Sequence, residues 1–505
     1  MVSLYSAVRY WAQQDPSRCA LVYEGQRIGY GELDQRVRQA ARRLHEDGIR
    51  PGDVVALLMK NSAAFIELAL AVSRQGAVLL PINYRLSADE VAYILDHGQA
   101  RLLFIDEECA ALAPGFAATR TVTPAAQADS RVLSGPGEDL DAAFLVPGDL
   151  FRLMYTSGTT DRPKGVVHTY ENVHWKCLDH ITALGLGAQD RLLVVGPLYH
   201  VGAFDLPGLA VLLGGGMLAV LRDFSEDAVL SLIAQERLTG AWLAPVMLSR
   251  LLAWPQRAAH DVSSLRWVIG GGERTPEQRI RDFGQLFTAA RYIDAYGLTE
   301  SCSGDTLMDA GRELEKIGST GRALAHVALS IRDEAGQPLP PGQAGEICLR
   351  GPKVTRGYWR DEARTRASFH GDWLRTGDVG HLDDEGYLFL TDRKKDMIIS
   401  GGENIASSEV ERVLYQMPEV AEAAVIGLPD ERWGECVVAV VVLHSAHTLE
   451  LPQLQAFCQG RLAGFKTPRR LLLRESLPRN PSGKVLKRVL RDEIVAAPDG
   501  DRSTP

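Results

Sequence analysis

LDQRVRQAARRLHEDGIRPGDVVALLMKNSAAFIELALAVSRQGAVLL, residues 33–80, carries two helix-then-strand units in immediate succession. Leu33, Val37, Ala40, Ala41 and Leu44 recur at the spacing that lines one helical face, and the pattern stops at Gly48. VVALLM (54–59) then predicts a buried strand. Phe65, Leu68, Ala69 and Val72 repeat the helical spacing before Gly76, and AVLLPI (77–82) predicts the next strand. Further out, Ser87-x-x-Glu90 is a capping-box pattern that opens another helix, followed by LLFI (102–105). The alternation resumes with RLLVV (191–195), a helix from Ser225, AWLAP (241–245) and WVIGGG (267–272). Helices alternating with strands in this order predict α/β sheets. Residues 111–148, rich in Ala, Pro, Gly and Ser, predict irregular connections. From about residue 345 the text turns to short β pieces, EICLR (346–350) and YLFL (387–390). Beyond 396, a helix over 407–416, AAVIG (423–427) and CVVAVVVL (436–443) predict a separate small α+β domain. The tail AAPDGDRSTP (496–505) has no apolar period and reads as disordered.

Composition narrows the function. A chain of 505 residues, 46% hydrophobic and 24% charged, buries a large core and divides into about three folding units. Lys and Arg number 55 against 64 Asp and Glu, a net charge of -9, so no broad positive field recruits nucleic acid. The seven cysteines are scattered, with no C-x-x-C pair, which fits a reducing cytoplasm. The run Leu206 to Leu221 is 16 residues long and contains three consecutive glycines, short of the ~20 that cross a bilayer as a helix, so no membrane span is expected. The start, MVSLYSAVRYWAQQDPSR, lacks the layout of a signal peptide, and the mature chain is expected to begin near Met1.

Chemistry concentrates in YTSGTTDRPKG (155–165), directly after the strand-like FRLM. Thr156, Ser157, Thr159 and Thr160 supply hydroxyls, Gly158 and Gly165 expose backbone N–H groups, and Arg162 and Lys164 add positive charge. That mixture suits phosphates. It is not a Walker loop, because the lysine precedes the glycine. By composition alone a structural turn remains the alternative.

The segment closely resembles the signature of the adenylate-forming superfamily, which includes acyl-CoA synthetases, peptide-synthetase adenylation domains and luciferases. Six further segments match the family in order: PLYHVG (197–202), GGERTP (271–276), YGLTE (296–300), WLRTGD (373–378), LTDRKKDMIISGGENI (390–405) and PRNPSGKVLKR (478–488). The resemblance implies a large N-terminal domain (1–394) of α/β sheets with a β-barrel-like part. A small mobile α+β C-terminal domain (395–505) follows. It implies a nucleotide site from Thr156, Ser157, Gly158, Thr159, Thr160, Lys164, Gly271, Glu273, Tyr296, Gly297, Thr299, Asp378, Arg393 and Lys484. Tyr296 lies against adenine, Asp378 accepts the ribose hydroxyls, Arg393 contacts the ribose and phosphate region, and Glu300 helps hold Mg2+.

Lys395 falls at the family's hinge, or else is one member of the charged run Asp392 to Asp396. Lys484 resembles the lysine that the small domain brings to the reacting groups, and Lys164, Glu300 and His200 complete the catalytic candidates. Acyl-binding candidates are Tyr199, His200, Phe204, Trp242, Gly271 and Gly272, whose side chains suit an aryl, alicyclic or medium acyl group. Gly401, Gly402, Glu403 and Trp433 form the coenzyme A side, where small residues admit a pantetheine arm.

The resemblance thus implies a Mg-ATP-dependent ligase that turns a small carboxylic acid into its acyl-CoA through an acyl-AMP. The rivals are loading of a carrier protein and a non-catalytic nucleotide-binding regulator. The oligomeric state stays open, a homodimer being one option. Two positions depart from the pattern or bear on the branch. Asp161 replaces a glycine of the phosphate loop, and its charge opposes a polyphosphate, with Arg162 placed to offset it. Gly202 stands where amino-acid-activating relatives carry an aspartate, and Asp205 lies three residues on, which disfavours an amino-acid substrate.

Overall fold

The computed structural model describes residues 3–133, 140–156, 162–272, 275, 277–393, 396–400, 403–430, 432–445, 447–479 and 485–496. The helices and strands expected from residues 33–80 form as Tyr30–Glu46, Val54–Leu58, Ala63–Gln75 and Val78–Pro81. Ser87 and Glu90 close both hydrogen bonds of the capping box ahead of Ala88–His97. The span 111–148 is less irregular than its composition predicts. Thr119–Val122 pairs as an edge strand with Ala100–Asp106, and Thr123 caps the helix Pro124–Ala128.

The expected α/β sheets number two. One has six strands, in the order Thr119–Val122, Ala100–Asp106, Val54–Leu58, Val78–Pro81, Leu150–Thr156 and Lys164–Thr169. All its neighbours are parallel except the last pair. The other has nine strands, with Met217–Val220, Arg191–Val194, Gly240–Leu243, Trp267–Gly270 and Arg291–Tyr296 running parallel through its centre. Strand alternation sorts side chains between layers. Val55 and Leu57 share one core with Leu192 and Val194 of the other sheet, whereas Val54, Ala56 and Leu58 turn to one outer cluster and Leu193 and Val195 to another. The helix Ala63–Gln75 is buried along its whole length within this layered core. Its Glu67 therefore needs a partner, and takes one from Arg36 at 3.0 Å and one from the Ser130 N–H at 2.9 Å.

A five-stranded antiparallel sheet follows, built from Ala328–Arg332, Gly345–Arg350, Phe369–His370, Trp373–Leu382 and Leu388–Arg393, in the region expected to be barrel-like. The C-terminal part has another five-stranded sheet centred on Val420–Asp430 and Gly434–Leu443. Its faces bury two apolar clusters drawn from residues 398–494 alone. The molecule is thus a mixed α/β protein with a large N-terminal and a smaller C-terminal domain. Among the described residues no helix is long and apolar enough to cross a membrane. The run from Leu206 is spent instead on a distorted segment, Phe204–Leu209, a short helix and the strand Met217–Val220.

Candidate active site

The site lies where parallel strands of both sheets end, the usual place for a ligand in such architectures. Leu150–Thr156 runs into the phosphate-loop motif, Trp267–Gly270 into GGERTP, and Arg291–Tyr296 into YGLTE. Thr156 pairs with Lys164 in antiparallel register, so the strands on either side of residues 157–161 are held together at the loop's base. Lys164 Nζ donates to Glu300 Oε1 at 2.7 Å and to the Tyr358 hydroxyl at 2.9 Å, and Tyr358 donates to the same carboxylate oxygen at 2.9 Å. Burial works against the lysine's charge. The Glu300 carboxylate outweighs that effect and holds the amine above its ordinary range.

Other expected nucleotide residues gather around this trio. Tyr296 donates to Asp378 Oδ2 at 2.9 Å, and Thr376 Oγ1 accepts the Asp378 N–H at 3.1 Å. Gly297 sits so close to the 303–304 backbone that a Cβ would come within 2.3 Å of the Gly304 nitrogen. Gly272 has φ +94°, a conformation that L side chains rarely adopt. Thr156 Oγ1 is buried with no partner among the described residues. Ser157, Gly158, Thr159, Thr160, Asp161, Glu273, Lys395, Gly401, Gly402 and Lys484 lie outside the described residues. Arg393 is described only through its backbone, which pairs with that of Asp378.

On the acyl side, Asn61 pins the PLYH turn by donating to the Gly196 carbonyl at 2.9 Å and accepting the Leu198 N–H at 2.8 Å. His200 Nδ1 accepts the Gly202 N–H at 3.0 Å, leaving the ring proton on Nε2. Burial lowers its pKa to about 4, so the imidazole is neutral at physiological pH and suits lining a pocket better than carrying charge. Tyr199 meets Tyr84 edge-on at 5.4 Å, and Phe204 meets Phe65 likewise at 6.2 Å. Trp242 covers Gly202, where a Cβ would approach the indole to 2.6 Å. Gly271 faces the Ala295 carbonyl, 3.1 Å from where its Cβ would stand.

Several partnerships of this neighbourhood went unread in the sequence. Arg152 and Asp205, both essentially inaccessible, form a two-pronged ion pair, with Nη1 to Oδ1 at 2.8 Å. The guanidinium outweighs burial and keeps the Asp205 carboxyl below its usual range, so that carboxylate is already engaged. Arg152 Nε also donates to His168 Nδ1 at 2.9 Å, and His168 Nε2–H donates to the Thr299 carbonyl at 2.6 Å. Burial, with the Arg152 charge adding to it, pushes His168 down to about 3. A buried chain of hydrogen bonds thus ties Asp205 to the segment that carries Glu300. Tyr358 had no flag in the sequence, since a tyrosine in GYWRD is an ordinary loop residue.

On the expected coenzyme A side, Ser400 pairs with Glu403 on one flank and with Gly434 on the other. Exposed Glu403 is thus on a strand of this sheet, and half-buried Trp433 directly precedes the strand that begins at Gly434. Arg432 and Arg469 lie over the Trp433 ring at 4.8 and 4.3 Å.

Residues 8–359 match the AMP-binding enzyme family, and residues 409–484 match the AMP-binding enzyme C-terminal domain. A feruloyl-CoA synthase of Amycolatopsis is 38% identical over 487 residues, 95% of this chain and 96% of its own length. A long-chain-fatty-acid–CoA ligase of Mycobacterium tuberculosis is 38% identical over 479 residues, covering 93% of this chain and 94% of that one. The o-succinylbenzoate CoA synthetase of Bacillus subtilis, solved with its acyl-adenylate intermediate, superposes with a TM-score of 0.87 at 32% identity, over 96% of this chain and 98% of that one. A two-domain fold with a nucleotide site at its strand ends defines an adenylate-forming enzyme. The chain belongs to the AMP-binding enzyme family.

Proposed function

We propose that this protein is an ATP-dependent acid–thiol ligase. It converts a carboxylic acid to an acyl-CoA through an acyl adenylate, with release of AMP and pyrophosphate. The relatives named above, each nearly coextensive with the chain, support the reaction class. The observation that carries the reading is the meeting at 2.7 Å of Lys164, on the last strand of the six-stranded sheet, and Glu300, on the turn that follows Arg291–Tyr296 of the nine-stranded one. A carboxylate resists nucleophiles because it is a resonance-stabilised anion, so it is first joined to AMP, which later leaves readily. The acid's oxygen attacks the α-phosphorus, the α–β bridging bond breaks, and pyrophosphate departs. The thiol sulfur then attacks the acyl carbonyl and AMP leaves. The first step brings two anions together, and its rate depends on positioning and on cations set where charge develops.

Lys164 supplies one such cation, its charge held on by Glu300. Thr156, with Ser157 to Thr160, cradles the phosphates, and the unpartnered Thr156 hydroxyl fits an incoming oxygen. Asp378 and Tyr296 take the ribose and adenine, with Gly271, Glu273, Gly297, Thr299 and Arg393 around them. Lys484 brings the second cation. Mg2+ fits this donor set, since it favours one or two carboxylates plus phosphate oxygens over an all-protein cage. Among the described residues no group of three or more His, Cys, Asp or Glu could hold a metal by itself. Glu300 would hold the ion, which when bound neutralises phosphate charge.

The domains divide at 394/395 with Lys395 as the hinge, a division that the separate apolar clusters of residues 398–494 support. Rotation about it exchanges Lys484 for the face bearing Gly401, Gly402, Glu403 and Trp433. The compartment is the reducing cytoplasm, in keeping with seven free thiols. Acid-dependent pyrophosphate release with Mg-ATP, with and without CoA, and with Lys484→Ala as control, tests the reading. Multiple turnovers that require CoA and vanish in the variant are expected. Release that stops after one equivalent, with CoA inert, would assign the adenylate to a carrier protein.

A further inference from the structure

The helix Tyr170–Leu184 is turned unusually in the core. Leu178 is 37% exposed, whereas Lys176, Asp179 and His180 are buried. Thr169 and Asn172 lock its start in a reciprocal cap, and the Asn172 side chain donates to the carbonyls of Pro352 and Val354 at 2.8 and 3.0 Å. The helix is therefore held in this rotation. Lys176 has no accessible surface, and its Nζ has no hydrogen-bond partner among the described residues. One turn on, His180 is also fully buried. Its Nδ1 likewise lacks a partner, while Nε2 lies 3.4 Å from the Gly304 carbonyl. Residues four apart share one helical face, so the amine and the imidazole address the same space.

That space adjoins the acyl side of the site: a Cβ at Gly304 would stand 2.3 Å from His180 Nε2 and 2.9 Å from Leu206 Cδ1, two residues past Phe204. The groups whose fields act on Lys176 are Asp205, Arg152, Cys177 and Cys302. Asp205 directly follows Phe204, and Cys302 lies two residues beyond Glu300. The neighbouring charged groups have partners of their own. Arg152 is taken by Asp205, Lys353 by Asp305 at 3.0 Å, and Asp179 holds His326 at 2.7 Å. Among the described residues Lys176 Nζ makes neither a hydrogen bond nor an ion pair. An apolar residue of similar length would pack there without the penalty of a desolvated, unpaired amine. A core that keeps the amine sacrifices stability for a contact it makes with something else.

We propose that Lys176, with His180 beside it, recognises an oxygen acceptor carried on the acyl portion of the acid, away from the carboxyl that is adenylated. The preferred acid is therefore one with a hydroxyl, keto or second carboxylate group, not a plain hydrocarbon acid. This narrows the apolar pocket expected from Tyr199, Phe204 and Trp242, and it rests on the ligase reading. Lys176 here is a specificity residue for the acyl group and takes no part in the chemistry at phosphorus.

The test uses the full-length enzyme and acids of matched length with an unsubstituted end, a terminal hydroxyl, a terminal keto group or a terminal carboxylate. For each, kcat/KM is read from pyrophosphate release with Mg-ATP and CoA. Wild type is expected to favour one acceptor-bearing acid over its unsubstituted counterpart by tenfold or more. Lys176→Met is expected to bring that ratio close to one, chiefly through KM. Thermal denaturation is the second readout. The preferred acid should raise the melting temperature of wild type and leave that of Lys176→Met unmoved, and the variant without ligand should melt no lower than wild type. A wild-type preference for the unsubstituted acid overturns the proposal. So does a variant that loses all acids in equal proportion and melts lower, the pattern of a merely structural lysine. No pyrophosphate with any acid sinks the ligase reading, and the melting shifts then still report whether Lys176 discriminates among the acids.

Discussion

The nucleotide face and the floor beneath the acyl side both hold charged residues, yet they hold them differently. At the nucleotide face, Lys164 keeps 24% of its side-chain surface accessible and pairs with Glu300 through one oxygen. Water reaches the lysine there, and the proposed role of the pair asks that it be exchanged for phosphate. At the floor, Arg152 and Asp205 retain 2% and 1% of their side-chain surface and bind through two oxygens. Nothing competes, and removing either partner strands a charge. Similar ion pairs thus differ in kind: one is single-pronged and reached by solvent at the lysine, the other two-pronged and sealed in the core.

The sharpest way to break this comparison is to remove one member of each pair. Arg152→Ala leaves Asp205 buried and unpaired and is expected to destabilise the fold by roughly 3–5 kcal/mol, measured by denaturant unfolding. Replacing both partners, as Arg152→Met with Asp205→Leu, should restore much of that loss. Glu300→Gln should cost less than about 1 kcal/mol of stability, since the pair is partly exposed. It should nevertheless lower acid-dependent pyrophosphate release by about 10²-fold or more, as losing a preorganised electrostatic group does. Equal stability losses in the two single variants would end the distinction.

Acid sharpens it further. His168 and His180 are buried and neutral, with folded pKa values pushed down, His168 to about 3 and His180 well below its ordinary value. Unfolding lets both take up protons below their usual ~6.5. The unfolded state then binds more protons than the folded one, so stability falls as pH drops through that value. The expected loss is roughly 2 kcal/mol per buried histidine by pH 5. Unfolding midpoints between pH 7 and 5 should show it, and His168→Gln should flatten the curve by about one proton's worth. The smallest effect concerns the nucleotide face alone. Asp161→Gly removes a negative charge beside the phosphates and is expected to lower the KM for ATP a few-fold, with little change in melting temperature. An unchanged KM and kcat would remove Asp161 from the account.

Much of the nucleotide face was legible from the chain. Thr156, Lys164, Tyr296, Glu300 and Asp378 stand in motifs whose family resemblance implies phosphate, ribose and metal chemistry, and the structure gathers them at the strand ends. The floor was not legible. Asp205 entered the sequence reading only as lying three residues past the position where amino-acid-activating relatives carry an aspartate, and only the fold reveals Arg152 holding it. Lys176 and Asp179 sit in a helix whose local pattern would send them to water and Leu178 inward, the reverse of what the capped, core-locked helix does. Tyr358 approaches Lys164 from 194 residues away.

The sequence by itself determined the alternation of helices and strands, α/β sheets with a small C-terminal domain, and the adenylate-forming chemistry. Each rests on local periodicity or on motifs contiguous along the chain. The tertiary structure alone decided which charges are neutralised and which are not. Pairing and burial depend on residues distant in sequence, and the cost of a charge depends on the dielectric around it. An Asp205 closed by Arg152 and a Lys176 left open are facts of packing, and no spacing rule encodes them.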